Sequence, residues 1–88
     1  MENKVFVRII LPELDISYDV FIPVNSLIWV IKKLLIKALS DVTGIMLNQN
    51  GSYILINKDT GKIYKNNDII IDTDIRNTTE LLLVSLKN

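Results

Sequence analysis

Few residues in this chain are equipped for chemistry, and those that are stand badly spaced for it. Cys and His are both absent, which removes disulfides, thiolate nucleophiles, an imidazole base and the usual zinc ligands together. Asp72 and Asp74 form an Asp-x-Asp that could seed a Mg²⁺ or Ca²⁺ site, but hard cations need more oxygen ligands than one such pair supplies. The plainer expectation is that Asp72 caps a short turn and Asp74 is solvated. Asp15 and Asp19 could pair as acid and base, yet both fall on the outward side of a strand pattern, with no pocket to shift a pKa. Gly61-Lys62 matches a phosphate loop in two letters only; the glycine spacing is wrong and no helix follows. Arg8 and Arg76 stand isolated and read as surface side chains rather than nucleic-acid contacts. No catalytic residue, metal ligand or cofactor is expected, and the chain is not expected to be an enzyme.

The elements that carry these residues follow from apolar spacing. Val5, Val7, Ile9 and Leu11 alternate with Phe6, Arg8 and Ile10, the period of a strand. Pro12 lies in the turn that follows, since its ring fixes φ and it cannot donate to a ladder. Ile16, Tyr18, Val20 and Ile22 alternate in turn, completing a hairpin that Pro23 ends. Asn25 or Ser26 is placed to cap a helix, whose apolar stripe is predicted at Leu27, Ile31, Leu34, Leu35, Ala38 and Val42, flanked by Ile28, Val30 and Leu39. Gly44 suits a left-handed C-terminal cap. Tyr53 to Ile56 predicts a third strand, Lys62 to Lys65 a short fourth and Glu80 to Leu86 the last, with an Asp72-opened helical turn around Ile75 before it. The order β-β-α-β-β-β predicts an α+β, β-grasp fold: a mixed sheet of four to five strands with one helix packed on one face.

Length and charge bound the rest. Eighty-eight residues suffice for a single domain, residues 1–88, burying roughly 60–65% of its unfolded surface. Lys plus Arg equals Asp plus Glu at ten each, so overall charge steers toward neither nucleic acid nor acidic membranes, and a partner must be recognised by a patch. Met1-Glu2-Asn3-Lys4 leads directly into strand alternation without a secretory leader. The most apolar stretch, Leu27 to Leu39, is interrupted by Lys32, Lys33 and Lys37 and is too short to span a bilayer. A cytoplasmic protein is expected.

Two sets of residues resemble known proteins. The tail from Asn66 to Val84, with its acidic turn, lone Ile75 and Leu-rich strand, resembles the closing segment of ubiquitin-like domains. Tyr18-Asp19-Val20-Phe21-Ile22-Pro23, followed after a spacer by Leu27-Ile28-Trp29-Val30-Ile31, resembles the second strand and helix start of the YukD/EsaB family. These are stand-alone ubiquitin-like proteins encoded beside type VII (ESX-like) secretion systems of Gram-positive bacteria. A conjugated ubiquitin needs a terminal Gly-Gly, whereas this chain closes on Leu86-Lys87-Asn88, as members of that family close without it. The resemblance implies a non-conjugated, non-catalytic accessory or regulatory module. Its partner would be a protein, such as the cytosolic part of a secretion-system membrane component or ATPase. A generic ubiquitin-like adaptor in another pathway, or a binder of acidic lipid or nucleic acid through a basic helix face, is the alternative.

Two surfaces are candidates for docking. Phe6, Ile10, Phe21, Leu82 and Val84 share the sheet side opposite the helix, where a β-grasp fold has no second helical layer, and contiguous exposed apolar area marks an interface. That interface could be heteromeric or homodimeric. It is also the face that ubiquitin relatives commonly use, as the resemblance implies. On the helix, Trp29 and Ile36 are predicted to point away from the core among Lys32, Lys33 and Lys37. Either a loop over Ile45 to Asn50 covers Trp29, or Trp29 anchors a partner with an acidic rim.

Overall fold

The computed structural model describes residues 3–44, 47 and 52–86. Two long strands, β1 (Lys4–Leu11) and β2 (Ile16–Pro23), pair antiparallel over their whole lengths. They are joined by a turn in which Leu14 N–H donates to Leu11 C=O (3.2 Å) and Asp15 N–H to Pro12 C=O (3.3 Å). Asp15 takes the left-handed conformation (φ 53°) that closes this hairpin, one that Asp tolerates better than most side chains. The helix α1 (Ile28–Thr43) crosses to β3 (Ser52–Asn57), and the chain ends in β4 (Glu80–Leu86). β4 lies parallel to β1 and antiparallel to β3, so the sheet is mixed, in the order β2-β1-β4-β3. This is the β-grasp arrangement.

The expected fourth strand at Lys62 to Lys65 does not form. The segment meets the edge of β3 in a single bridge, Ile56 to Ile63, framed by Asn57 N–H to Lys62 C=O (2.8 Å) and Tyr64 N–H to Leu55 C=O (3.1 Å). Two hydrogen bonds hold it there, after which the backbone turns away to serve α1. The Gly61 turn (φ 77°) precedes it. The side-chain Oδ1 of Asn57 fixes that turn by accepting from Asp59 N–H (2.9 Å) and Thr60 N–H (3.2 Å). This accounts for Gly61-Lys62 without any phosphate.

Neither Asn25 nor Ser26 caps α1. Leu27 occupies the cap position with no side-chain bond, because the orphan donors of the first turn are met by another segment. Ile28 N–H donates to Asp68 C=O (2.8 Å) and Trp29 N–H to Asn66 C=O (3.3 Å), so tertiary backbone replaces the cap. The other end agrees with expectation: Gly44 is left-handed (φ 72°) and its N–H closes on Ser40 C=O (3.0 Å). The turn expected around Ile75 lies earlier, as a 3₁₀ turn at Ile70–Asp72 that Asp72 does not cap. Thr73 closes it, donating from both N–H (3.0 Å) and Oγ1 (2.6 Å) to Ile70 C=O. Ile75 drops into the core behind it.

The core joins the inner side of the sheet (Val7, Ile9, Leu11, Leu55, Leu81, Leu83) to α1 and to Tyr64, Ile70 and Ile75. The helix, however, is rotated from its predicted setting. Its buried residues are Ile28, Ile31, Leu35, Ile36 and Leu39, while Leu34 and Val42 are exposed. The buried arc is displaced by roughly 70° at 100° per residue. Lysine is the reason for the error. Lys32 lies inside the buried arc, and a charged residue there argues for a wet face. Lys32 is instead half-buried, its ammonium donating to Tyr53 C=O (2.9 Å), as a long stem with a charged tip allows.

Candidate protein-docking surfaces

The outer side of the sheet is built by strand registry. Phe6 faces Phe21 across β1 and β2, and their rings stack at a centroid distance of 4.8 Å and a tilt of 51°, a geometry aromatic pairs favour. Phe21 remains 66% exposed. At the other end of β1, Ile10 lies beside Leu82, which faces Ile56, and Val84 faces Ile54. These side chains alternate with core residues on every strand, so all project to one side. The five residues expected on this face, Phe6, Ile10, Phe21, Leu82 and Val84, do share it. Ile54 and Ile56, with Ile63 bridged to Ile56 and exposed, enlarge it. They were missed although the signal was present: Tyr53 to Ile56 is apolar throughout, and a strand apolar at every position is apolar on both faces.

Between the two apolar ends runs a band of charge. Arg8 Nε donates to Asp19 Oδ1 (2.9 Å), Arg8 Nη1 lies 3.8 Å from Glu80 Oε2, and Lys58 Nζ lies 3.3 Å from Glu80 Oε1. Arg8 is therefore not isolated; cross-strand registry sets it opposite both acids. The Asp19 hydrogen bond and charge raise the guanidinium pKa above its ordinary value. Asp19 is thus an ion-pair partner rather than half of an acid–base couple. Arg76 is likewise engaged, donating from Nη1 to the carbonyls of Thr73 (2.6 Å) and Ile75 (2.8 Å).

The helix surface departs from expectation at one residue. Trp29 is 46% exposed, and Lys33 and Lys37 are exposed, but Ile36 is buried at 5%. It packs on the side of α1 that turns toward β3. The expected cover of Trp29 by Ile45 to Asn50 falls outside the described residues apart from Leu47, whose N–H donates to Ser40 Oγ (3.3 Å). What the sequence did not disclose is a groove of about 530 Å³ between α1 and β3. Trp29, Lys32, Lys33 and Ile36 come from α1 and Ser52 to Ile54 from β3, and Tyr64, Asn66 and Leu86 complete the lining.

Asp74, expected to be merely solvated, is engaged. Its Oδ1 accepts the Tyr64 hydroxyl (2.5 Å), and that hydroxyl also accepts from Asn57 Nδ2 (3.1 Å). Burial and then the Asp74 hydrogen bond push the Tyr64 pKa up to about 12. Among the described residues no group of three or more His, Cys, Asp or Glu is arranged to hold a metal ion. No described helix is long and apolar enough to cross a membrane.

No family model matches the sequence, and no curated protein matches it as a relative. Solved structures do match in shape. A chain of the ESX-5 inner membrane complex (MycP5-free, State II) superposes with a TM-score of 0.77 at 15% identity over 98% of this chain. This chain spans only 22% of that one. The ubiquitin-like domain of EccD5 from Mycobacterium xenopi superposes with a TM-score of 0.71 at 19% identity, covering 97% of each chain. The UBL domain of Plasmodium falciparum Dsk2 gives 0.69 at 16% identity, over 94% of this chain and 99% of that one. Identities this low establish architecture and leave function to the surfaces. The chain has the ubiquitin-like β-grasp fold.

Proposed function

We propose that this chain is a non-conjugated ubiquitin-like module that binds another protein through the outer side of its sheet, as an accessory or regulatory component of a bacterial type VII secretion system. The observation that carries the reading is the apolar surface around Ile10, Ile54, Ile56, Leu82 and Val84, with no second layer over it among the described residues. Apolar surface gathered on one face of a small domain is a docking surface by default. The ion pairs of Arg8, Asp19, Glu80 and Lys58 cross its middle and satisfy one another, so they set orientation more than affinity.

The secretion assignment is supported by two further points. The Tyr18 to Ile31 stretch resembles the YukD/EsaB family, and the EccD5 domain and the ESX-5 membrane complex are among the structural neighbours. The partner on this reading is the cytosolic part of a membrane component or ATPase of such a system, which puts the protein in the cytoplasm. The test is a pull-down of that cytosolic part by wild type and by Phe6→Asp and Leu82→Asp, with circular dichroism confirming the fold. Both variants are expected to lose the partner. Undiminished capture by both well-folded variants would show that the sheet face is not the docking surface. Capture only by an unrelated adaptor pathway would keep the face and remove the secretion role.

A further inference from the structure

The groove between α1 and β3 opens around the edge of β3 from the outer sheet surface; it shares Ile54 with that surface but has a different chemistry. Its helical wall supplies Lys32 and Lys33, and among the described residues that line it none is acidic. Lys37, one turn beyond Lys33, extends the cationic row. None of the ion pairs among the described residues involves any of the three; all are on the sheet. Lys32 is further distinguished by being held. Its ammonium donates to Tyr53 C=O at 2.9 Å, which spends one of its three donors and leaves two for an incoming acceptor. Burial without a compensating anion lowers its pKa from the ordinary value. Beside these cations stand the half-exposed ring of Trp29 and apolar side chains, Ile36, Ile54 and Leu86.

We propose that this groove receives an extended acidic segment of a partner protein, with carboxylates on Lys32 and Lys33 and an apolar side chain against Trp29. A fixed ammonium costs little further ordering when a carboxylate arrives, which favours binding at this point over the mobile surface lysines. The mixed lining decides between classes of ligand. A phosphodiester backbone would use the lysines but leave the apolar Trp29, Ile54 and Leu86 surface unmatched. Alternating acidic and apolar side chains match both halves of the lining. The open edge of β3 is short, because Leu55 and Asn57 already bond to the 62–64 segment. Side chains rather than an added strand would therefore carry recognition.

The chain has one tryptophan, and it lines this groove, so its fluorescence reports occupancy directly. The full chain is titrated with a set of peptides of about eight residues, alternating Glu or Asp with Leu, Val or Phe, at salt concentrations from about 20 to 200 mM. Parallel titrations use the same peptides with Lys replacing the acids, an oligo-dT strand, and vesicles containing phosphatidylserine. The expected result is a saturable change in Trp29 emission with acidic peptides only, with affinity falling as salt rises. Lys33→Glu, exposed and remote from the core, should weaken it at least about tenfold, and Lys32→Met comparably. Leu82→Asp, on the outer sheet face and outside the groove lining, should leave it unchanged, so this result stands or falls apart from the sheet-face reading. Flat emission across the whole acidic set at low salt overturns the proposal. So does equal binding of the Lys peptides, undiminished binding by Lys33→Glu, or tighter binding of the oligonucleotide or vesicles.

Discussion

The two sides of β3 belong to surfaces with opposite logic. On its outer side, Ile54 and Ile56 join a broad apolar face whose charges are paired with one another. Along its edge, Tyr53 borders a groove whose cations have no carboxylate among the described residues. Affinity at the first should come from apolar area and respond weakly to salt. Affinity at the second should be electrostatic and respond strongly. A small domain can hold two independent sites on one strand because successive side chains diverge and the backbone edge faces a third direction.

The largest effect should come from a substitution that removes what both surfaces stand on. Leu55 is fully buried at the centre of β3, and Leu55→Ala should cost about 2–5 kcal/mol. Chemical denaturation should register that loss together with a fall in both peptide and partner binding. A variant that kept its midpoint would show that β3 is not the shared support.

A smaller and one-sided effect is expected at Tyr64. Its hydroxyl links Asn57 on β3 to Asp74 beside the core, so Tyr64→Phe should destabilise by about 1–3 kcal/mol by stranding a buried amide. It should disturb the groove it lines more than the sheet surface. The same residue sets an alkaline limit. With a folded pKa of about 12 against an ordinary 10, the folded state holds this proton more tightly than the unfolded chain. Its contribution is complete below pH 10 and is lost as pH rises from 10 through about 12. Stability measured across that window should fall more steeply in wild type than in Tyr64→Phe. Parallel curves would contradict the assignment.

Lys32→Met should separate binding from folding. Met keeps most of the stem and gives up the bond to Tyr53 C=O, so the loss of stability should be no more than about 1 kcal/mol. A drop as large as that of Leu55→Ala would make Lys32 a structural residue first. The smallest change expected is that of sheet-face binding to added salt. If partner capture through Leu82 fell as steeply with salt as peptide binding in the groove, the contrast between the two surfaces would disappear.

Much of this architecture was legible in residue order. Alternation in β1 and β2, the Pro12 turn, the Gly44 cap and the Leu81-Leu83 strand depend on short-range spacing and were readable from it. The apolar side of the sheet was legible for the same reason. The failures share a cause: each was decided by residues distant in sequence. Asn66 and Asp68 carbonyls replaced the cap expected of Asn25 or Ser26. The long aliphatic stem of Lys32 let a charged residue sit in the buried arc, turning Ile36 inward with it. Arg8 looked solitary because its partners, Asp19 and Glu80, meet it only through strand registry. The groove was invisible because its lining comes from four segments that only the fold brings together.

On the function proposed above, a partner docks on the outer side of the sheet. The decisive experiment is amide chemical-shift mapping of the labelled chain, titrated with the cytosolic domain of a type VII membrane component. The largest shifts are expected to cluster at Ile10, Ile56, Leu82 and Val84, and Leu82→Asp should abolish them with the fold intact. Shifts confined to the exposed Leu34–Val42 side of α1, with the sheet silent, would contradict it.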